Sequence, residues 1–521
     1  MNQQPDIIFI VLDTQRADRL SCYGHTTKTS PNLDKFAEQA VLFQQAIAPA
    51  QWTIPTHASM FTGLYPTAHQ VTQSHQSLGA DAPHLAEILQ TADYDTVGFC
   101  NNPLVGILNN GFKRGFQQFY NYGGAFPDLP PNEKAGFFGR LKDKLNQMMQ
   151  RITQPIQNLF GQSDLALSIA IYSWLTPIWS RWANFKGQNE RSVKDVVNFL
   201  QNREEKKQEK PLFLFLNLME THLPFYPPQK YVDQVAPYMR NDKEAREIMR
   251  RWNHEAYRWA APLPSGLSEK ERRVLSDMYD AEVAYQDDYL QKLFTVLEQR
   301  KNKENTLTII VGDHGDGLGE HQYFGHAFVA YQELVHVPLI MHWPKQLSSG
   351  QKVAQTVSTR RVYHTVLDAL AELPELPQVN PAEVRGLSLC EVAHGRDVEE
   401  STAFTEIYPP LNFVRAIEHR QPELIDSFRC LDLRRAIVKD DLKLILLDDE
   451  PDELFNLDQD KLELENIIRQ RPADKAVLTQ QATRIINTVE TQRDSLQAGT
   501  PLDLEHDEEL VKRLRGLGYI D

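Results

Sequence analysis

Cysteine is scarce in this chain. Only Cys22, Cys100, Cys390 and Cys430 occur among 521 residues, and no two are spaced as CxxC. That argues against a disulfide framework and fits a reducing compartment. Positive charge is also short, with a formal net charge of −15. Nucleic acid is therefore not an expected partner, because phosphate binding needs a basic stripe. A small anionic substrate responds to the local field and stays open. No uninterrupted run of about 18 apolar residues occurs, so no spanning helix is expected. The opening MNQQPDIIFIVLD lacks the basic stretch of a signal peptide, and its apolar run stops at Asp13. A cytoplasmic protein is the expectation. Internal repeats are lacking too.

What is present is a set of short apolar runs that end on polar residues. Hydrophobic residues make up 41% of the chain, ample for a core. Residues 7–12 (IIFIVL) are continuous, apolar and β-branched, the pattern of a strand buried on both faces. They end at Asp13. Residues 96–100 lead to Asn101 and Asn102, which we take as substrate-binding amides. Residues 212–218 (LFLFLNL) run into Glu220, Thr221 and His222. Residues 308–311 stop at Gly312 and deliver Asp313 and His314 to a glycine-rich loop carrying Asp316, Glu320 and His321. A start at 41–43 and a run at 337–342 complete six predicted strands. Helical patterns alternate with them, which implies a mostly parallel sheet covered on both faces.

Within 50–66 (AQWTIPTHASMFTGLYP) Pro55 suits the first turn of a helix and Gly63 its stop. Thr53 then sits at the helix mouth, where free N–H groups and the dipole favour negative charge on a hydroxyl. Threonine is also an ordinary helix cap. Residues 111–122 (GFKRGFQQFYNY) read as an irregular loop. Residues 137–185 are amphipathic and basic, then apolar with three tryptophans. They read as helices packed on the main body, as a lid, or as a peripheral membrane contact. Residues 265–300 form a long helix whose Asp280, Glu282, Asp287 and Asp288 are expected on a solvated face. A Pro- and Glu-rich stretch after residue 370 marks a boundary. The predicted organisation is a large α/β catalytic domain over 1–375, with a helical insert at about 137–185, and a small C-terminal α+β subdomain over 400–521.

In a parallel sheet the carboxyl ends of the strands converge on one edge. Asp13, Thr53, His222, Asp313 and His314 all belong near that edge. Asp13, Asp313, His314 and Thr53 make a coherent shell for one divalent cation. A Thr53 hydroxyl activated by coordination would attack phosphorus or sulfur. His57, His222 and His326 would bind the ester oxygens or protonate the leaving group.

These residues lie in motifs that resemble the sulfatase family of the alkaline phosphatase superfamily: IIFIVLDTQRADRLSCYG, TSPNLDKFAEQAVLFQQAIA, WTIPTHASMFTGLYPTAH, THLPFYPP, GDHGDGLGEHQYFGH and ELVHVPLI, with LKLILLDDEPDELFNLDQD and RLRGLGYID toward the end. The resemblance implies a large α/β domain with a small C-terminal one. It implies a divalent metal (manganese, calcium, magnesium or zinc) on Asp13, Asp313 and His314, and Thr53 at the nucleophile position. His222 matches the substrate or leaving-group histidine, and His326 stands beside Ala327, where many members have a lysine. Typical sulfatases carry Cys or Ser at the nucleophile position, oxidised to formylglycine, with Arg four residues later. Here Thr53 and His57 stand there, and the β-methyl of threonine blocks that aldehyde. The acidic pair common after the first strand reads Asp13-Thr14, one ligand fewer. A Thr nucleophile is similar to the superfamily's phosphodiesterases, phosphonoesterases and phosphotransferases. The expected activity is hydrolysis of a phosphodiester or phosphonate monoester through a covalent Thr53 intermediate. The alternatives are a sulfatase working without formylglycine, a phospho-group transferase and a non-catalytic binding protein. The sequence leaves the oligomeric state open.

Overall fold

The computed structural model describes residues 4–123, 127–130, 186–208, 210–377 and 379–502. Eight strands form the main sheet: β1 (Asp6–Leu12), β2 (Val41–Ile47), β3 (Asp95–Cys100), β4 (Gln118–Asn121), β5 (Leu212–Leu218), β6 (Thr306–Gly312), β9 (His336–His342) and β10 (Gln351–Ser358). Between β6 and β9 lies a two-stranded ribbon of β7 (Gly317–Leu318) and β8 (Phe324–Gly325). The order across the main sheet is β10-β2-β9-β6-β1-β5-β3-β4. Only β9 runs against its neighbours, pairing antiparallel with β2 and with β6. The sheet is mostly parallel, as the apolar runs imply.

Strand β1 shows why those runs are uninterrupted. Ile7, Phe9 and Val11 enter one hydrophobic core, and Ile8, Ile10 and Leu12 enter the other. Alternate side chains point to opposite faces, so a strand with a core on each side tolerates no polar position. The helix Thr53–Thr62 packs on the first face through Ile54, Ala58 and Phe61. The 31-residue helix Glu269–Gln299 packs on the second through Val274, Met278 and Leu293.

A second, antiparallel sheet follows in the order β11 (Thr402–Ile407), β12 (Arg434–Lys439), β13 (Leu442–Leu447) and β14 (Glu450–Asn456). Phe404, Ile437, Leu444 and Leu454 on one of its faces meet Leu478, Ala482 and Val489 of the helix Pro472–Ser495. Ala403, Ala436, Val438 and Ile445 on the other join the core of the main body.

Two sequence expectations differ from the structure, and one strand was not expected. Residues 118–121 of the expected loop form the edge strand β4, because they pair parallel with β3. Strand β10 was not foreseen; its burial is irregular at first and continuous only from Thr356. The acidic face of the long helix is not solvated: Asp280, Glu282 and Asp287 are buried, at 3%, 0% and 4% exposure. Each has a partner far away in sequence. Asp280 Oδ2 lies 2.9 Å from His25 Nε2. Glu282 Oε1 lies 2.7 Å from Lys186 Nζ and accepts from the Tyr226 N–H at 2.6 Å. Asp287 accepts from the N–H groups of Asn32 and Leu33 at 2.9 and 2.8 Å, capping the helix Pro31–Ala37 from outside. Asp288 does face solvent, its side chain half exposed. The 137–185 insert and the RLRGLGYID tail lie outside the described residues. Among those described, no helix is long and apolar enough to cross a membrane.

Candidate active site

Register builds the site. In the parallel pairings Leu12 lies opposite both Leu218 and Gly312, and Cys100 opposite Asn217. The residues that follow, Asp13, Asp313 with His314, and Asn101 with Asn102, therefore leave the sheet at one edge. The helix Thr53–Thr62 begins at the same edge. Trp52 is its N-cap with extended backbone (φ −148°, ψ 169°), and Gly63 closes it in the left-handed region (φ 74°). Thr53 is thus the first helical residue rather than the cap.

Asp13, Asp313 and His314 are fully buried, and one ligand atom from each lies within 4.8 Å of the others. Asp313 Oδ1 accepts from the N–H groups of Thr14 (3.1 Å) and His314 (2.8 Å). Asp13 Oδ2 accepts from Asn102 Nδ2 at 2.5 Å. The other oxygens, Asp13 Oδ1 and Asp313 Oδ2, have no hydrogen-bond partner although buried. His314 donates from Nδ1 to the Gly315 carbonyl at 2.8 Å, which fixes the tautomer and turns the Nε2 lone pair toward the carboxylates. Nε2 lies 3.5 Å from Asp313 Oδ2 and 4.0 Å from Asp13 Oδ1. Two orphaned carboxylate oxygens and one imidazole lone pair converging in a buried spot form a donor set that could hold a divalent cation.

The electrostatics agree. Burial pushes Asp13 up to about 6 against the pull of the Asn102 hydrogen bond. Burial, then the charge of Asp13, drives Asp313 well above the usual carboxylate range. Burial holds His314 far below 6.5, so the imidazole is neutral. Two adjacent buried carboxylates without a cation are costly, and a divalent ion reverses that cost.

Thr53 Oγ1 lies 3.4 Å from His314 Nε2 and accepts from Asn102 Nδ2 at 3.2 Å. One amide group therefore spans Asp13 and Thr53. Asn102 is itself fixed, since Asn217 Oδ1 accepts from its backbone N–H at 3.0 Å. His326 gives Nδ1 to Asp316 Oδ1 at 2.9 Å, and its ring lies 4.6 Å from that of His314. The His222 ring is 5.1 Å from that of His326, and its Nδ1 donates to the Leu223 carbonyl at 2.7 Å. Burial lowers His222 to about 3, with the charges of His326 and Lys186 adding to the shift.

Two candidates sit differently. His57 donates from Nδ1 to the Thr53 carbonyl at 2.9 Å and receives Asn217 Nδ2 on Nε2 at 3.4 Å, with burial lowering it to about 4. It supports the first turn of the helix from within. Asn101 spends its side chain on Ser192 Oγ (2.8 Å), the Asn217 carbonyl (2.9 Å) and the Gln188 N–H (2.9 Å), so it ties strand ends to the following helix. Three residues escaped the sequence reading. Asn217 is the one polar position in LFLFLNL, and that break in an apolar run was the available signal. Arg16 is buried, with Asp18 gripped bidentately and Glu320 on Nη1 at 2.9 Å. Lys186 joins Glu282 and Glu220 beside the loop of His222.

The sulfatase family model matches residues 5–372, and a model described as N-sulphoglucosamine sulphohydrolase, C-terminal, matches 319–491. The Escherichia coli (strain K12) protein named uncharacterized sulfatase YidJ is 24% identical, over 89% of this chain and 83% of its own length. Among solved structures, the phosphonate monoester hydrolase of Agrobacterium radiobacter superposes with a TM-score of 0.62 at 19% identity, covering 94% of this chain and 96% of that one. A complex of BT4656 with its substrate D-glucosamine-2-N,6-O-disulfate does so with a TM-score of 0.64 at 17% identity, covering 95% and 99%. The family match defines the class as a hydrolase of ester bonds. The chain belongs to the sulfatase family.

Proposed function

We propose that the protein hydrolyses a monoanionic phosphorus ester, a phosphodiester or phosphonate monoester, through a covalent intermediate on Thr53. The observation that carries this reading is the placement of Thr53 Oγ1, 3.4 Å from His314 Nε2 and hydrogen-bonded to the same Asn102 amide that holds Asp13. One divalent cation on Asp13, Asp313 and His314, with Thr53 as fourth ligand, would lower the hydroxyl's pKa and offset charge on the ester oxygens.

Thr53 Oγ1 forms the bond to phosphorus as the bond to the leaving oxygen breaks. Its position at the first turn sets the helix N–H groups around the developing charge. Asn102 holds the hydroxyl in line. The proton that Thr53 Oγ1 gives up passes by way of His326 Nε2, with the ring's Nδ1–H held by Asp316, to the leaving oxygen, and His222 lies beside that ring. Water then attacks phosphorus and restores the threonine hydroxyl. His57 is assigned to support of the Thr53 turn.

Charge supports the monoanion. His57, His222 and His314 are neutral at pH 7. Among the described residues, no Lys or Arg side chain bonds to Thr53, Asn102 or His326. Lys186, the cation beside His222, lies 2.7 Å from Glu282 and 3.6 Å from Glu220. A dianionic monoester would find little compensation. A sulfate monoester is equally monoanionic, and the sulfatase relatives favour it as the second reading, with unmodified Thr53. We take 1–375 as the catalytic unit and 400–521 as the smaller one.

The test is an activity panel of aryl phosphomonoester, phosphodiester, phosphonate monoester and sulfate, each with manganese, magnesium, calcium and zinc, on wild type and Thr53→Ala. Diester or phosphonate turnover that vanishes in Thr53→Ala is expected. Sulfate as the best substrate selects the second reading. Wild-type-like turnover in Thr53→Ala sinks the covalent role.

A further inference from the structure

The loop between His314 and His326 carries a second cluster of buried charge, away from the ester. His321 takes a left-handed backbone (φ 50°), and its ring stacks on Tyr331 with centroids 3.7 Å apart. Nδ1 lies 2.8 Å from Glu333 Oε1, and Nε2 lies 3.2 Å from the backbone oxygen of Glu463. A carboxylate and a carbonyl only accept, so both ring nitrogens must donate and the ring is an imidazolium. The groups facing it are Glu333, Tyr331, Glu453, Glu463 and Lys443. Lys443 Nζ lies 2.7 Å from Glu463 Oε1, both side chains fully buried. Glu463 Oε2 accepts from the Gln332 N–H at 2.5 Å, and Tyr331 OH donates to Glu453 Oε2 at 2.9 Å. Lys443 and Glu453 belong to the C-terminal sheet and Glu463 to the loop beyond it. Glu333 belongs to the main body.

The cluster reaches the candidate metal centre through backbone. Glu333 O is packed on Gly315 so closely that a Cβ there would sit 2.0 Å from it. Gly315 N–H donates to the Leu334 carbonyl at 2.7 Å, and the Gly315 carbonyl accepts from His314 Nδ1. A continuous path thus runs from the C-terminal sheet through His321 and Glu333 to the hydrogen bond that orients His314.

We propose that His321 is a positioning residue: as an imidazolium it clamps the C-terminal sheet to the backbone that aims His314 at the metal, and the clamp slackens when the ring loses a proton. Burial alone would lower its pKa, but the hydrogen bond and charge of Glu333 outweigh that and hold it up at about 8. One of the two readouts below rests on the metal reading above; the other does not.

The experiment is carried out on the full chain. First, the protonation of His321 is followed by NMR of its ring nitrogens, assigned by comparison with His321→Gln. Second, manganese affinity is measured by calorimetry at pH 7 and pH 9 for wild type, His321→Ala and His321→Gln, with circular dichroism as the fold control. The expected result is a doubly protonated ring at pH 7 that loses a proton near pH 8. Measured relative to His321→Gln, which keeps amide donors, cannot titrate at this position and shares the ligand titration, wild-type affinity should weaken about tenfold between the two pH values. His321→Ala should be about tenfold weak already at pH 7. A singly protonated ring at pH 7 overturns the clamp. So does a folded His321→Ala whose affinity is within twofold of wild type. If His321→Ala does not fold, a fall in His321→Gln equal to the wild-type fall overturns it instead. Absence of manganese binding in wild type would refute the metal reading, and the proton state would still decide the clamp.

Discussion

Thr53 and Asp13 can be separated by what their loss does to stability. Thr53→Ala removes the nucleophile we propose and little packing, so kcat should fall at least about 10³-fold with the fold intact. Activity within tenfold of wild type would place the nucleophile elsewhere. Asp13→Asn should strip metal, read by elemental analysis, yet raise the stability of the metal-free protein. Asp13 is buried with Oδ1 unpartnered, and its folded pKa of about 6 lies above the unfolded value near 4. The sign follows. Below pH 4 the group costs the fold nothing; the cost grows as pH rises to 6 and is complete above that. Urea unfolding at pH 7.5 in chelator should show Asp13→Asn more stable by about 1–3 kcal/mol, and a loss would mean that this carboxylate holds the fold rather than the ion. Both residues were legible in the sequence, because a strand end and a Pro-marked helix start are local signals. Asn102's bridge to Asp13 and Thr53 was not, since it depends on the register of β3 against β5.

At the scale of elements, the acidic face of the helix Glu269–Gln299 is the instructive misreading. Carboxylates spaced along a helix look solvated when nothing in the sequence names their partners. Asn32 and Leu33 lie more than 250 positions from Asp287. Removing that carboxylate leaves two N–H groups at the start of the helix Pro31–Ala37 without their acceptor. Asp287→Ala should therefore cost about 2–3 kcal/mol, whereas Asp288→Ala on the same helix should cost less than about 0.5 kcal/mol. Equal costs in urea unfolding would refute the capping role. Glycines divide in the same way. Gly315 touches Glu333 O, while Gly395 (φ 80°) has open space around a would-be Cβ. Gly395→Ala should cost about 1 kcal/mol through backbone conformation alone. Gly315→Ala should cost several times that, and should weaken metal binding because the His314 carbonyl partner moves. Packing tells the two positions apart.

For the whole molecule, the main sheet and its site edge were readable because continuous apolar runs ending in Asp, His or Asn encode both burial and position. The joint between the two sheets was not readable. His321, Glu333, Glu463 and Lys443 are scattered over more than 140 positions and acquire meaning only as a buried network. Such a network makes the C-terminal sheet part of the catalytic loop's scaffold, and it gives the fold a pH signature of its own. His321 titrates at about 8 in the folded chain and near 6.5 when unfolded. Its contribution is therefore complete below about pH 6.5 and is lost as pH rises through 8. The size is about 2 kcal/mol, from roughly 1.5 pKa units at 1.36 kcal/mol each. Metal-free wild type should lose that much more stability between pH 6.5 and 9 than His321→Gln does, measured in urea with chelator present so that ligand titration is common to both proteins. The opposite dependence, with wild type gaining relative to His321→Gln at alkaline pH, would show that the ring enters the fold neutral.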